Sequence, residues 1–416
     1  MRARFSVLGR PDFRNLWLAR TTSVLGDRLV VVALALFVTD LTGSASDVGV
    51  VLAASTIPFV AFLLVGGVWA DRVPRARLMV VTDVVRAVLH GLLALLIFTG
   101  AVEIWHVVVI EVLFGTASAF FQPAATGLLP RTVPEEELQE AQALTNLTHN
   151  IAELTGPALA TALVLGVGAG WAFAVDAATF AVSAWFLLRV RVADAPPAPE
   201  ERGTVVADLL EGFGHVRSRS WLWVTIAVFT LAVPLGYAPL FVLGPTIAQD
   251  AYAWTALFGI VTTLFGLGAL AGGLAGLHWR PRRPMRAGFL GLLGWPALLV
   301  AFGAGAPAAL VMPLAIATGM GFALFDVWWN TAMAERIPAH ALSRVSSYDW
   351  MGSLVLLPVG FLVAGPVAEA TSAGAVLVAG GILTLALLAV GLVPRQTRTL
   401  TQVERPARVV AGAVGR

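Results

Sequence analysis

The chain has 416 residues, 58% hydrophobic and 12% charged, with a mean hydropathy of +0.84 and a formal net charge of +2, which places it in the membrane class. All 27 basic residues are arginine and cysteine is absent. A lysine-bearing phosphate loop, disulfides, thiolate metal sites and cysteine catalysis are therefore excluded together.

Met1–Arg14 is basic and precedes an apolar run. That run continues for about 25 residues, carries Arg20, Asp27 and Arg28 and has no convincing small-residue cleavage site, so it reads as a first membrane helix rather than a cleaved signal. Further apolar segments follow, giving twelve in all at 16–40, 47–70, 78–99, 104–129, 143–167, 170–190, 221–248, 253–278, 286–304, 307–334, 343–368 and 372–393. Each is close to the ~20 residues that cross a hydrocarbon core as a helix, and none shows the ~10-residue alternation of a barrel strand. The predicted fold class is an all-α membrane protein with twelve transmembrane helices.

Arginine sets the orientation. Arg2, Arg4, Arg10 and Arg14 precede helix 1; Arg72, Arg75 and Arg77 follow helix 2; Arg131 follows helix 4; five more lie in 189–219, and four in 280–286. Arg336, Arg344 and the tail arginines complete a set of 24 on one side, while the turns at 42–47, 166–170 and 303–306 have none. That bias predicts a multi-pass protein of the cytoplasmic (inner) membrane with both termini in the cytoplasm. Scattered in this way, the arginines form no basic patch for nucleic acid despite a pI of about 9.6.

The longest polar interruption, 191–220, starts with the extended Ala195-Pro196-Pro197-Ala198-Pro199 and continues with Val205, Val206, Leu209, Leu210, Phe213 and Val216 at helical spacing. It predicts a linker with an amphipathic helix on the membrane face, between six-helix bundles at 1–190 and 221–394 and ahead of a cytoplasmic tail at 395–416. The two halves also repeat. Gly67 corresponds to Gly276, Phe121 to Phe325, and Gly156-Pro157 to Gly365-Pro366, at offsets of about 204–209 residues, which reads as a same-orientation duplication with a substrate site between the halves.

The short charged turn after helix 2 then resembles the signature loop of the major facilitator superfamily, Gly-x-x-x-Asp-Arg-x-Gly-Arg-Arg. Gly67, Asp71, Arg72 and Arg75 fall on the pattern; Pro74 replaces its glycine, Ala76 its second basic residue, and Arg77 follows one position later. Residues 10–18, Leu25-Gly26-Asp27, Thr42-Gly43-Ser44 and Leu342-Ser343-Arg344-Val345 resemble the branch holding macrolide-efflux and enterobactin exporters. The resemblance implies a conformational gate at Gly67, Asp71, Arg72, Arg75 and Arg77, with Asp71 meeting the start of helix 11 near 342–344. It further implies proton-driven, drug:proton antiport of a drug-like or siderophore-like molecule. Gly156-Pro157 in helix 5 resembles the antiporter motif, whereas Glu111 stands at the spacing where many drug antiporters carry a buried arginine.

Ionisable groups in hydrocarbon are expensive, about 2.5–3.5 kcal/mol each on insertion scales, so each needs a reason. Asp27, with Arg20 seven residues earlier and Arg28 beside it, is either a proton- or substrate-binding carboxylate tuned by one of those arginines or half of a static ion pair that locks helix 1 to a neighbour. Asp83, Arg86 and His90 share one face of helix 3 and suggest a structural network with the charged turn. Glu111 in helix 4 and Glu153, on the stripe Asn146, His149, Asn150 and Glu153 of helix 5, are candidates to face a cavity; the alternative for Glu153 is a pair with an arginine of helix 1. In the second half the candidates are Asp326 and Asp349 with the aromatics Trp328, Trp329 and Trp350, which could equally pack on lipid.

No histidine pair has metal-ligand spacing and no catalytic constellation stands out, so neither an enzyme nor a cofactor is predicted. The expected partners are a small-molecule substrate, protons and the lipid bilayer, with no nucleic acid, and the expected state is a monomer. The alternatives are an importer or uniporter of a small metabolite and, from another class, a transport-dead sensor or scaffold.

Overall fold

A computed structural model describes residues 6–70, 72–192 and 213–401. Helix α1 (Pro11–Thr42) starts on a proline, which has no N–H to leave unpaired in a first turn, and carries Asp12 there against the positive helix end. It stops at Gly43, whose φ of 65° is the left-handed closure that glycine permits, with the Gly43 N–H donating to Thr39 O at 2.9 Å.

The helices α2 (Ala45–Ala70), α3 (Arg75–Phe98), α4 (Ile104–Leu128), α5 (Leu138–Gly166) and α6 (Ala169–Leu187) follow. After residue 219 come α7 (Ser220–Asp250), α8 (Ala256–His278), α9 (Pro284–Gly303), α10 (Ala308–Arg336), α11 in two pieces (Ala339–Leu354 and Leu357–Ala370) and α12 (Ala373–Gly391). There is no strand among the described residues. Ten of the helical segments are long and apolar enough to cross a membrane. The other two, α1 and α5, have 32 and 29 residues. At 1.5 Å per residue those lengths reach about 48 and 43 Å, beyond a ~30 Å hydrocarbon core.

Three of the predicted single helices are interrupted, two of them at prolines. In α7, Pro234 lacks the N–H that an α-turn needs, and Val233–Tyr237 widens into a π-turn. α9 divides into Pro284–Gly291 and Gly294–Gly303, and the second piece of α11 starts with Leu357-Pro358. The expected amphipathic linker helix lies outside the described residues as far as 212, and 213–217 are helical. At the arginine-bearing end, Arg10 grips Glu137 through two bonds of 3.0 and 3.2 Å. Those hydrogen bonds hold the Glu137 carboxyl below its usual range, so the contact is present above that range and is lost on acidification through the lowered value.

The apolar core is continuous across the halves at one end only. One cluster joins Leu29–Val38 of α1 and Val48–Ala53 of α2 to Leu240–Ala248 of α7, Leu257–Val261 of α8 and Phe361 and Ala364 of α11. Toward the arginine-bearing end it gives way to two separate clusters, one around Phe13, Leu16, Met79 and Phe121 and the other around Trp221, Phe289, Phe325 and Trp329. Glycines allow the joined end to close. A β-carbon on Gly365 would overlap the Ser46 backbone, and one on Gly266 would lie 2.6 Å from Leu154 Cα. Beside Gly365, Ser46 Oγ donates to Glu369 Oε1 at 2.6 Å.

Because the chain has no cysteine of its own, a Ser46→Cys/Glu369→Cys pair tests this closure directly. A short bifunctional thiol reagent is expected to join the two positions, so that chains cleaved in the linker still migrate as one band under denaturing conditions. Separate fragments after complete thiol labelling would contradict the packing.

Candidate functional site

Where the core divides, a cavity of about 70 Å³ lies between the halves. One wall comes from Arg28, Val31 and Val32 of α1 with Glu153 and Pro157 of α5; the other carries Tyr237, Phe241, Phe265, Trp295 and Phe322. Arg28 Nε and Glu153 Oε2 are 2.8 Å apart, each side chain about one-third accessible (36% and 33%), so the ion pair faces the open space rather than the packed interior. The opposite wall is held by ring contacts, Tyr237 with Phe241 at 4.6 Å and Trp295 with Phe322 at 5.0 Å. The π-turn of α7 delivers Tyr237 to this wall. Gly156 makes the polar wall possible: a β-carbon there would lie 2.6 Å from Arg28 Cβ and 2.9 Å from its carbonyl carbon, so only glycine brings α5 this close to α1.

On another face of α1 lies a buried charge cluster. Arg86 of α3 binds Asp83 in a short contact, reaches Asp27 Oδ1 at 3.4 Å and donates to Ser23 Oγ at 3.3 Å. Ser183 Oγ of α6 donates to Asp83 Oδ2 at 2.5 Å. One turn along α3, His90 meets Asp176 of α6 through Nδ1 in another short contact, and its Nε2 lies 3.3 Å from Glu111 Oε1 of α4. Asp83, Arg86, His90, Glu111 and Asp176 are all at most 1% exposed. Phenylalanines close the cluster: Phe114 stacks on His90 at 4.0 Å, and the Arg86 guanidinium lies 4.2 Å from the Phe180 ring and 4.4 Å from Phe121.

Several expectations are corrected by this geometry. Asp27 pairs with Arg86 of α3, the alternative in which an ion pair ties helix 1 to a neighbour, rather than with Arg20 or Arg28; Arg28 turns to Glu153, the alternative in which Glu153 meets an arginine of helix 1, because neighbours on a helix point about 100° apart. Arg20 instead stands beside His149, Trp17 and Thr148 between α1 and α5. The helix 3 triplet is tied to α1, α4 and α6, which replaces the expected network with the charged turn. Glu111 faces His90 inside the bundle and does not line the cavity, because α4 is enclosed on that side by α3.

Nor are Trp328, Trp329 and Trp350 the cavity aromatics. Trp328 Nε1 donates to Trp279 O at 3.1 Å, Trp329 Nε1 donates to Asp349 Oδ2 at 2.9 Å, and Trp350 is 67% exposed. Asp326 accepts from Asn330 Nδ2 at 2.8 Å, one helical turn away on α10.

At the charged turn, Arg75 is buried against Gly127 of α4, and Arg72 and Arg77 are exposed. Gly67 lies within α2; Asp71 and its expected contact with the side chains of 342–344 fall outside the described residues. Asp176, which completes the cluster, is absent from the sequence expectations, although a lone carboxylate in the apolar helix Ala169–Leu187 is the signal that marked Asp27. Among the described residues no group of three His, Cys, Asp or Glu side chains is arranged to hold a metal ion.

The family model described as Major Facilitator Superfamily matches residues 16–354. Curated relatives include the multidrug efflux pump Tap of Mycolicibacterium fortuitum, 28% identical over 90% of this chain and 93% of its own length. Macrolide efflux protein A of Streptococcus pyogenes is 24% identical over 63% of this chain and 65% of its own. Among solved structures, the nucleoside transporter NupG superposes with a TM-score of 0.70 at 14% identity, covering 91% of this chain and 98% of that one. A bacterial homologue of the iron transporter ferroportin, solved in an inward-facing state, gives 0.68 at 16% identity over 91% and 98%. At these identities the structural likenesses speak for the fold alone.

The contact at Gly156 makes a quantitative prediction. Gly156→Leu overpacks the α1–α5 seam and is expected to destabilise the protein by about 1–3 kcal/mol, read as a fall in apparent melting temperature. Gly166→Leu, with nothing within 4 Å of its β-carbon position, serves as the control and is expected to stay within about 0.5 kcal/mol of the parent. Equal losses at both positions would contradict the close approach.

Proposed function

The chain belongs to the major facilitator superfamily, a multi-pass membrane transporter of a small molecule and not an enzyme, and on that premise we propose that it exports bulky amphiphilic, drug-like compounds in exchange for protons. In this reading it works as a monomer in the cytoplasmic membrane with both termini inside. Bundles 1–190 and 221–394 rock about the cavity between them.

The observation that carries the reading is the cavity itself: one ion pair, Arg28–Glu153, faces a wall of five aromatic rings across the seam between the halves. An amphiphile with an apolar body and one polar or charged group suits such walls. At about 70 Å³ the space is that of roughly two waters and far below the ~300–1,000 Å³ of ordinary ligand sites, so it must widen to admit substrate. With the arginine-bearing ends in the cytoplasm, the joined core seals the outer side and the parted cores face inward. The geometry serves either direction of transport; export is supported by the relatives named for efflux.

In proteoliposomes with an imposed proton gradient, the purified protein is expected to move the macrolide erythromycin against its concentration gradient. Trp295→Ala, which removes an aromatic contact worth about 0.5–1.5 kcal/mol, should raise the apparent KM about two- to tenfold with little change in maximal rate. Asp27→Asn should abolish gradient-driven movement. Unaltered KM in Trp295→Ala would remove the aromatic wall from the substrate site, and unaltered driven transport in Asp27→Asn would remove Asp27 from coupling.

A further inference from the structure

The cavity does not use the other end of the buried cluster. Four carboxylates, Asp27, Asp83, Glu111 and Asp176, share one space in which, among the described residues, Arg86 and His90 are the cationic side chains in contact with them. Arg86 answers Asp83 and Asp27. His90 alone stands between Asp176 and Glu111, with a carboxylate oxygen opposite each of its nitrogens. A neutral imidazole has one N–H donor and one acceptor nitrogen, so with both acids ionised a lone pair would face a carboxylate in a buried, phenylalanine-lined space. The arrangement is satisfied only when one further proton is present, either on His90 or on one of the two acids. Consistent with a site that changes its proton content, His90 Nε2 and Glu111 Oε1 approach to 3.3 Å without forming an aligned hydrogen bond, and Asp176 Oδ1 is buried without a hydrogen-bond partner among the described residues.

Asp176 Oδ1 also touches α1. A β-carbon on Gly26 would overlap that oxygen and Thr179 Oγ1, so the α1 backbone rests directly on the acid. Residues 26–28 therefore read three environments in succession: Gly26 presses on Asp176, Asp27 reaches Arg86, and Arg28 holds Glu153 at the cavity wall.

We infer that His90, Glu111 and Asp176 form a proton-holding site inside the first bundle, and that α1, by lifting from or settling on Asp176 at Gly26, links its loading to the cavity. The inference rests on the proton-driven reading above. The facing groups are Ser23 and Asp27 from α1, Asp83 and Arg86 from α3, Glu111 from α4, and Asp176 and Ser183 from α6. On unloading, the proton passes to water, leaving a neutral His90 with its N–H toward one acid and both acids ionised; reloading reverses this. No bond other than those to the proton changes.

Two measurements on the purified full-length protein test the inference. At about pH 8, above the ordinary histidine range, nitrogen-15 spectra of labelled histidine together with infrared spectra are expected to show either a doubly protonated His90 or a protonated carboxyl. The signal is assigned by its loss in His90→Gln, Glu111→Gln and Asp176→Asn. Absence of both signatures overturns the proton-holding site whatever transport does.

In proteoliposomes, Asp176→Asn and Glu111→Gln are expected to lower gradient-driven erythromycin accumulation about 5- to 150-fold, the usual range for coupling between two sites, while exchange of labelled for unlabelled erythromycin without a gradient persists. Variants that still accumulate the probe, or monodisperse variants that lose exchange equally, overturn the link to the cavity. If the parent protein exchanges erythromycin but ignores the gradient, the proton-driven reading itself fails, and that result appears before any substitution is made.

Discussion

An ionised side chain inside hydrocarbon must be answered by another charge, and much of this molecule is arranged around that requirement. Breaking a buried pair by removing one partner leaves an uncompensated charge and costs about 3–5 kcal/mol, far more than an exposed pair contributes. Arg86 is the centre of the answer in the first half. It holds Asp83 and Asp27 at once while phenylalanine rings cover its faces, and α1, α3 and α6 are bound together through it. In the second half Asp349 is met by Trp329 and Asp326 by Asn330 among the described residues. The halves differ in their electrostatics: the close-packed charge cluster lies in the first half and the aromatic wall of the cavity in the second.

Close packing converts that charge network into something that can move. α1 is tightly enclosed, with nearly every residue from Leu29 to Val38 buried, and it passes within glycine distance of α5 at Gly156 and of α6 at Gly26. A helix held so tightly transmits small displacements instead of absorbing them, because packed interiors are stiff. The same stiffness closes the end where Gly49, Gly365, Gly259 and Gly266 lie in the seam, and its absence at the other end leaves each half with a core of its own.

The apolar runs made the helices legible in the sequence, since length and hydropathy are local properties. Their ends shifted by several residues where polar ends project past the apolar run, as in Pro11–Thr42 against the expected 16–40. The interruptions at Pro234 and Pro358 were present as residues, but which prolines would divide a helix was not, because Pro58, Pro123, Pro157 and Pro313 all lie inside unbroken helices. The existence of a buried charged site was also legible, but its pairing was not. Spacing along one helix cannot say which neighbouring helix supplies the partner, so Arg86 could not be named as the partner of Asp27 and Glu111 was turned to the wrong space. The cavity wall was missed for a related reason: tryptophans next to acids stood out in sequence, whereas Tyr237, Phe241, Phe265, Trp295 and Phe322 converge only through folding.

The central claim is that the proton content of the buried cluster biases which end of the seam is open. The most direct measurement places spin labels at Thr126→Cys and Asn330→Cys, exposed positions toward the arginine-bearing ends of α4 and α10, and records their distance distribution by pulsed electron resonance as pH is raised from about 7 to about 10, from where the site holds its proton to well above the ordinary histidine range. The account predicts that the ratio of long- to short-distance populations changes with pH in the parent protein and becomes independent of pH when Asp176→Asn is added. A distribution that ignores pH in the parent, or that responds unchanged in the variant, would contradict it.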